Sequence, residues 1–182
     1  MYGGAYDQRT GPNLFGAKPP YGPLSERGDV LVFQTPPLQK DLEIAGPLDL
    51  RLWVASDGAD ADIHAKLIDL YPPSADYPDG FAMNLSEGLL RLRYRDSWDA
   101  PTLLEPGRPY AVSIAMFPCA NLFKRGHRLR LDLAGSNFPH FDINPNSGEP
   151  EGSAEHPRTA RSRIFVDRQR PSHLVLPLVP TI

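Results

Sequence analysis

The run SNFPHFDINPN, residues 136–146, places Ser136, His140 and Asp142 close together in the chain. A hydroxyl, an imidazole and a carboxylate are the side chains of nucleophilic acyl transfer, in which the base takes the hydroxyl proton and the carboxylate orients the base. The spacing argues against that chemistry. An extended chain rises about 3.3 Å per residue, so Ser136 and His140 stand roughly 13 Å apart unless the backbone folds back between them. The G-x-S-x-G elbow that exposes a nucleophilic serine occurs nowhere in the sequence. No catalytic residue is therefore assigned to this chain. Asn137, Asp142 and Asn144 are expected to form Asx-type turns, with Phe138 and Phe141 anchoring the loop in a core or against a neighbour.

His140 and Asp142 lack the further His or Cys at ligand spacing that a metal site requires, so no metal or cofactor is assigned. The acidic run SDGADAD, with Asp57, Asp60 and Asp62, lacks the order and the distal bidentate glutamate of a calcium loop, and a solvated inter-strand loop is expected. Trp53, Trp98, Tyr71, Tyr77 and Phe81 are the residues from which an aromatic sugar-binding surface could be built; core and rim positions are the simpler expectation. Cys119 has no nearby base to lower its pKa and reads as a small buried side chain.

The elements that must position these residues are strands. Leu48, Leu50, Leu52 and Val54 alternate with Asp49, Arg51, Trp53 and Ala55, a period of two with one buried face. DVLVFQT ends at Pro36 and Pro37, a strand with its stop signal. ADIHAKLIDLYP and YAVSIAMF alternate likewise. GLLRLRYR sends Arg91, Arg93 and Arg95 to one side and Leu90, Leu92 and Tyr94 to the other. HRLRLDLAG sets Leu129, Leu131 and Leu133 opposite Arg128, Arg130 and Asp132, and SHLVLPLVP puts Leu174, Leu176 and Leu178 on one side. PCANLFKRG, ending at Gly126, is the one candidate for a short helix. Seven or eight strands joined by Pro, Gly, Asn and Asp turns predict an all-β sandwich of jelly-roll or related type.

Composition agrees. The chain has 182 residues, 19 basic and 22 acidic side chains and 21 prolines. Prolines in that number disfavour helices, and the length suits one domain. The near balance of charge gives no basic patch for nucleic acid. A single cysteine excludes an intrachain disulfide. With no signal-like or membrane-spanning run in the sequence given, a cytoplasmic, membrane-free location is expected. Residues 1–28, rich in Gly and Pro, are expected to be irregular, and residues 29–182 to form the sandwich.

Several long stretches resemble a known family. They are DQR at 7–9, DVLVFQTPPL at 29–38, DLEIAGPLDLRLWVASDGADADIHAKLIDLYPP at 41–73, NLSEGLLRLRYR at 84–95, NLFKRGHRLRLDLAGSNFPHFDINPNSG at 121–148 and SHLVLPL at 172–178. In order and register, they are similar to the C-terminal domain of the serine hydrolases that include X-Pro dipeptidyl-peptidases, cocaine esterase and α-amino acid ester hydrolases. The resemblance implies a non-catalytic jelly-roll domain, galactose-binding-like in fold, that follows an α/β-hydrolase domain bearing the whole catalytic triad. It implies as partner that hydrolase domain, in cis or as a separate chain, and as function stabilising it and walling its cleft. Asn137, Phe138, Pro139, His140, Phe141, Asp142 and Asn144 then form the candidate interface or cleft-wall loop, with Phe15 and Tyr21 as further anchors. Parted from its partner, such a sandwich exposes an apolar face through which copies can form a homo-oligomer. The alternative is an independent carbohydrate-binding module, a role that β-sandwiches also host.

Overall fold

The computed structural model describes residues 8–9, 11–13, 22–153 and 155–180. Eight strands run in the order β1 (Val30–Gln34), β2 (Leu42–Ser56), β3 (Asp62–Tyr71), β4 (Phe81–Arg91), β5 (Tyr110–Phe123), β6 (Arg128–Ala134), β7 (Ser162–Phe165) and β8 (His173–Val175). All pairings are antiparallel. One sheet has the order β1-β6-β3-β4; in the other, β5 pairs one edge of β2, while β7 and β8 pair successive stretches of its opposite edge.

The alternation read from the sequence sets what each strand buries. Leu48, Leu50, Leu52 and Val54 of β2 meet Ile63, Ala65 and Leu67 of β3, Val112, Ile114 and Met116 of β5, and Leu129 and Leu133 of β6 in one core. Pro47 cannot donate to a ladder, and the β2–β5 register shifts between Gly46 and Leu48. Gly46 absorbs that shift at a φ of 138°, a conformation that disfavours a side chain.

Strand β4 closes one side of the sandwich by lying against β5. The Ser86 hydroxyl donates to the carbonyl of Phe117 at 2.6 Å. Gly88 permits the approach, because a Cβ there would come within 3.0 Å of side-chain atoms of both Ile114 and Met116.

Three expectations need correcting. PCANLFKRG is not helical: β5 runs through to Phe123, and Cys119–Phe123 pair with Gly46–Leu42, so tertiary pairing overrides the local helical pattern. Gly126 instead sits in the turn before β6 at a φ of 89°. The alternation of GLLRLRYR stops at Arg91, where a 3₁₀ turn, Leu92–Tyr94, begins. The leucine face of the last run also ends early; Leu174 and Leu176 pack on the core, whereas Leu178 is largely exposed beyond Pro177.

Among the described part of residues 1–28, Leu24–Glu26 form a single 3₁₀ turn, and Leu24 packs with Val30 and Ala134 on the outer face of the first sheet. Gln8 bonds Asp132 and Arg130 on the same face. Phe15 and Tyr21 lie outside the described residues.

Gly88→Val should overpack the β4–β5 side and lower stability by about 1–3 kcal/mol, read as a reduced urea midpoint with unchanged slope. A midpoint equal to that of the parent chain would contradict the close approach.

Candidate functional site

Strand β3 is buried on both faces. Its core face is apolar, but the opposite face carries Asp62, His64 and Lys66, each almost fully buried. Buried charge is costly unless paired, and the neighbours supply partners. Asp62 stands opposite Arg91 in the β3–β4 register and receives two guanidinium hydrogen bonds, at 3.0 and 3.1 Å. Asp60, just before the strand, takes the Arg93 Nε at 2.7 Å and the Arg93 backbone N–H at 3.0 Å. Lys66 stands between Glu87 of β4, whose Oε2 lies 3.7 Å from its Nζ, and Asp132 of β6. Asp132 in turn is forked by Arg130 at 2.7 and 2.6 Å.

The loop after β6 closes over this face. Asn144 donates to Asp60 at 2.9 Å and to Asp62 at 2.7 Å, while its own Oδ1 accepts the backbone N–H of Asn146 at 2.8 Å. Asn137 donates to Glu87 at 2.9 Å, and the His140 Nδ1 lies 2.9 Å from the other oxygen of that carboxylate. The ring of Phe141 packs 5.5 Å from His64 and 4.7 Å from His140. The Phe138–Pro139 bond is cis. The base of the loop is thus buried and bonded, while Phe138, Pro139, His140, Asp142 and Ile143 are exposed.

Ser136, His140 and Asp142 are not assembled into a relay. The Ser136 hydroxyl is buried and accepts the N–H of Phe138 at 3.2 Å, the imidazole of His140 is engaged by Glu87, and Asp142 faces outward. Of the three Asx turns expected, the one at Asn144 is found; the Asn137 amide is drawn instead to Glu87, Asp142 is exposed, and Ser136 makes the equivalent hydroxyl turn.

SDGADAD is not the solvated loop expected. Asp60 and Asp62 are buried, because the arginines of β4 and its following turn neutralise them. No group of three or more metal-binding side chains gathers among the described residues. Asp60, Asp62, Arg91, Arg93, Glu87, His64 and Lys66 thus belong to the site, although sequence reasoning did not assign them. Four of them carried a signal, as two like-charged i, i+2 pairs of opposite sign, Asp60/Asp62 and Arg91/Arg93.

The aromatic residues disperse. Tyr77 and Phe81 stack on each other, 4.9 Å apart at 19°, with Tyr71 edge-on to both. Trp98 stacks on Tyr94 elsewhere, and Trp53 lies in β2 beside Phe165. Rings that cover one another leave less flat face for a sugar. Cys119 is half-buried, and burial pushes its thiol pKa up, away from reactivity.

At Asp62 and His64 burial is the first cause of the shift. It pushes the Asp62 carboxyl above its ordinary range, against the opposing pull of Arg91 and Asn144. His64 is driven down to about 4, first by burial and then by the positive charges of Lys66, Arg91 and His140. Its Nε2 has no hydrogen-bond partner among the described residues. The unfolded chain therefore binds this proton first, so the contribution of neutral His64 is complete above the ordinary histidine range and is lost as pH falls toward 4. Acidification from pH 7 to 4 should cost roughly 3 kcal/mol through this residue. His64→Leu should flatten that part of the stability–pH curve; identical curves would contradict the assignment. Asn144→Ala should cost about 3 kcal/mol in denaturant unfolding, since two hydrogen bonds to carboxylates vanish; a loss of a few tenths would show that the loop is not pinned there.

Residues 4–175 match the model of a family described as the X-Pro dipeptidyl-peptidase C-terminal non-catalytic domain. The cocaine esterase of Rhodococcus sp. (strain MB1 Bresler) is 39% identical over 159 residues, which are 86% of this chain and 27% of that protein. Among solved structures, an aminopeptidase from a marine sediment Thaumarchaeota archaeon superposes with a TM-score of 0.82 at 30% identity, covering 86% of this chain and 27% of the other. An α-amino acid ester hydrolase gives a TM-score of 0.82 at 33% identity, over 86% and 26% of the two chains. The chain spans about a quarter of the length of these relatives. It belongs to the family of C-terminal non-catalytic domains found in X-Pro dipeptidyl-peptidases and the cocaine esterase group.

Proposed function

We propose that this sandwich, jelly-roll in its strand order, serves a serine α/β-hydrolase acting on esters or N-terminal peptides. It packs on the catalytic domain, stabilises it and walls the substrate cleft with the loop Asn137–Asn144. Family membership supports the partner, because the matched relatives are several times longer than this chain and bear hydrolase names.

The observation that carries the reading is the contrast within the loop. Its base is fixed by Asn137 on Glu87 and by Asn144 on Asp60 and Asp62. Its tip leaves Phe138 37% and Ile143 50% exposed. Apolar side chains held out on a rigid base lose little freedom on docking, which is what an interface anchor requires. A cleft wall has the same need, since displacement of about an ångström alters substrate positioning.

Calorimetric titration of the purified chain with its cognate hydrolase domain should show saturable binding and a higher melting temperature for that domain. Phe138→Ser combined with Ile143→Ser should weaken binding by at least about tenfold and leave the melting of the free chain unchanged. Absence of binding, or binding indifferent to both changes, would count against the reading.

A further inference from the structure

The two sheets differ in width. The first is four strands across, whereas the second is three across, because β7 and β8 share one edge of β2. With β4 held against β5, the mismatch falls on the opposite side, and among the described residues no strand of the second sheet lies opposite β1. Leu31 and Phe33 pair in register with Leu133 and Leu131 and therefore point toward the core face, yet they are 45% and 40% exposed. Beside them, Leu131, Ile164, Leu174 and Leu176 border an open apolar cavity of about 350 Å³. A leucine-walled space of this size gains nothing from water and forgoes dispersion contacts on its open side.

Charge indicates what closes it. Arg163 projects from the outward face of β7, beside Ala55, and is exposed, as are Arg161 and Arg168. These three make no ion pair among the described residues, whereas Arg158 is near Asp57 and Arg170 is held by Asp167 and the ring of Phe165. Antiparallel pairing of β7 with a second copy of itself would set arginines against arginines, which disfavours self-association along this edge. A strand with apolar side chains on its inward face and carboxylates on its outward face meets both demands.

We propose that the edge of β7 left unpaired among the described residues receives such an alternating apolar and acidic strand from the hydrolase domain. It becomes the fourth strand of the second sheet, covering Leu31 and Phe33 and setting its carboxylates against Arg161 and Arg163. Main-chain hydrogen bonds supply the affinity and the alternation supplies the specificity, as in other cases of strand addition. The source of the strand rests on the docking reading above; the chemistry of the edge does not.

The probe is a capped seven-residue peptide of alternating Glu and Leu, titrated into the 182-residue chain carrying Trp98→Phe, with the fluorescence of the remaining Trp53 as the readout, since Trp53 pairs with Phe165 of β7. Saturable binding is expected, weakened at least about tenfold by Arg161→Glu with Arg163→Glu, and likewise by Phe33→Asp. Each variant is first shown to melt cooperatively. A peptide with Lys in place of Glu should not bind. Equal binding of both peptides, or binding unaffected by the arginine changes, overturns the proposal. The same arginine pair is then tested with the hydrolase domain. A complex that depends on Phe138 and Ile143 but ignores Arg161 and Arg163 removes this inference and leaves the docking reading standing. If no complex forms, the docking reading falls together with the hydrolase domain as donor, and the peptide titration decides the chemistry of the edge.

Discussion

The outer face of β3 must hold charge in a place with almost no water, and much of the molecule outside the core follows from that constraint. An unpaired carboxylate or ammonium there would cost several kcal/mol. Asp62 and Lys66 are tolerable because β4 brings Arg91 and Glu87 opposite them in register. A slip of one residue would put apolar Leu90 opposite Asp62, so ionic pairing and hydrophobic alternation select the same alignment. The loop after β6 belongs to the same solution, since Asn144 completes the hydrogen bonding of Asp60 and Asp62.

Such a layer is better at specifying one arrangement than at adding net stability. Replacing paired buried charges with well-packed apolar residues is often neutral or favourable for folding. Here the polar layer gives a fixed seat to a loop whose tip remains apolar and exposed. That division suits the docking role proposed above.

The fold was largely legible because a period of two survives in β2, β5 and β6, where leucines of β2 and β6 and Val112, Ile114 and Met116 of β5 face the core. The alternation failed where tertiary demands replaced it. Cys119–Phe123 became strand because β2 offered pairing partners, and Arg93 of GLLRLRYR left the strand pattern, in the turn after β4, to reach Asp60. The candidate loop was legible from its turn residues and phenylalanines. Its support was not, because Glu87, His64 and Lys66 come from strands far away in sequence, and a buried His or Lys looks in sequence like a solvated one. The unequal sheet widths were likewise hidden, since nothing in the sequence announces that β7 and β8 share one edge of β2.

Hydrogen–deuterium exchange of the isolated chain, resolved by amide, tests the central claim that the charged layer holds the loop as preformed structure. The amides of His140 and Asn146 donate to Asn137 and to the side chain of Asn144. The account predicts protection at both comparable with the amides of β3 and β4. Exchange at the intrinsic rate of an unstructured peptide would contradict it.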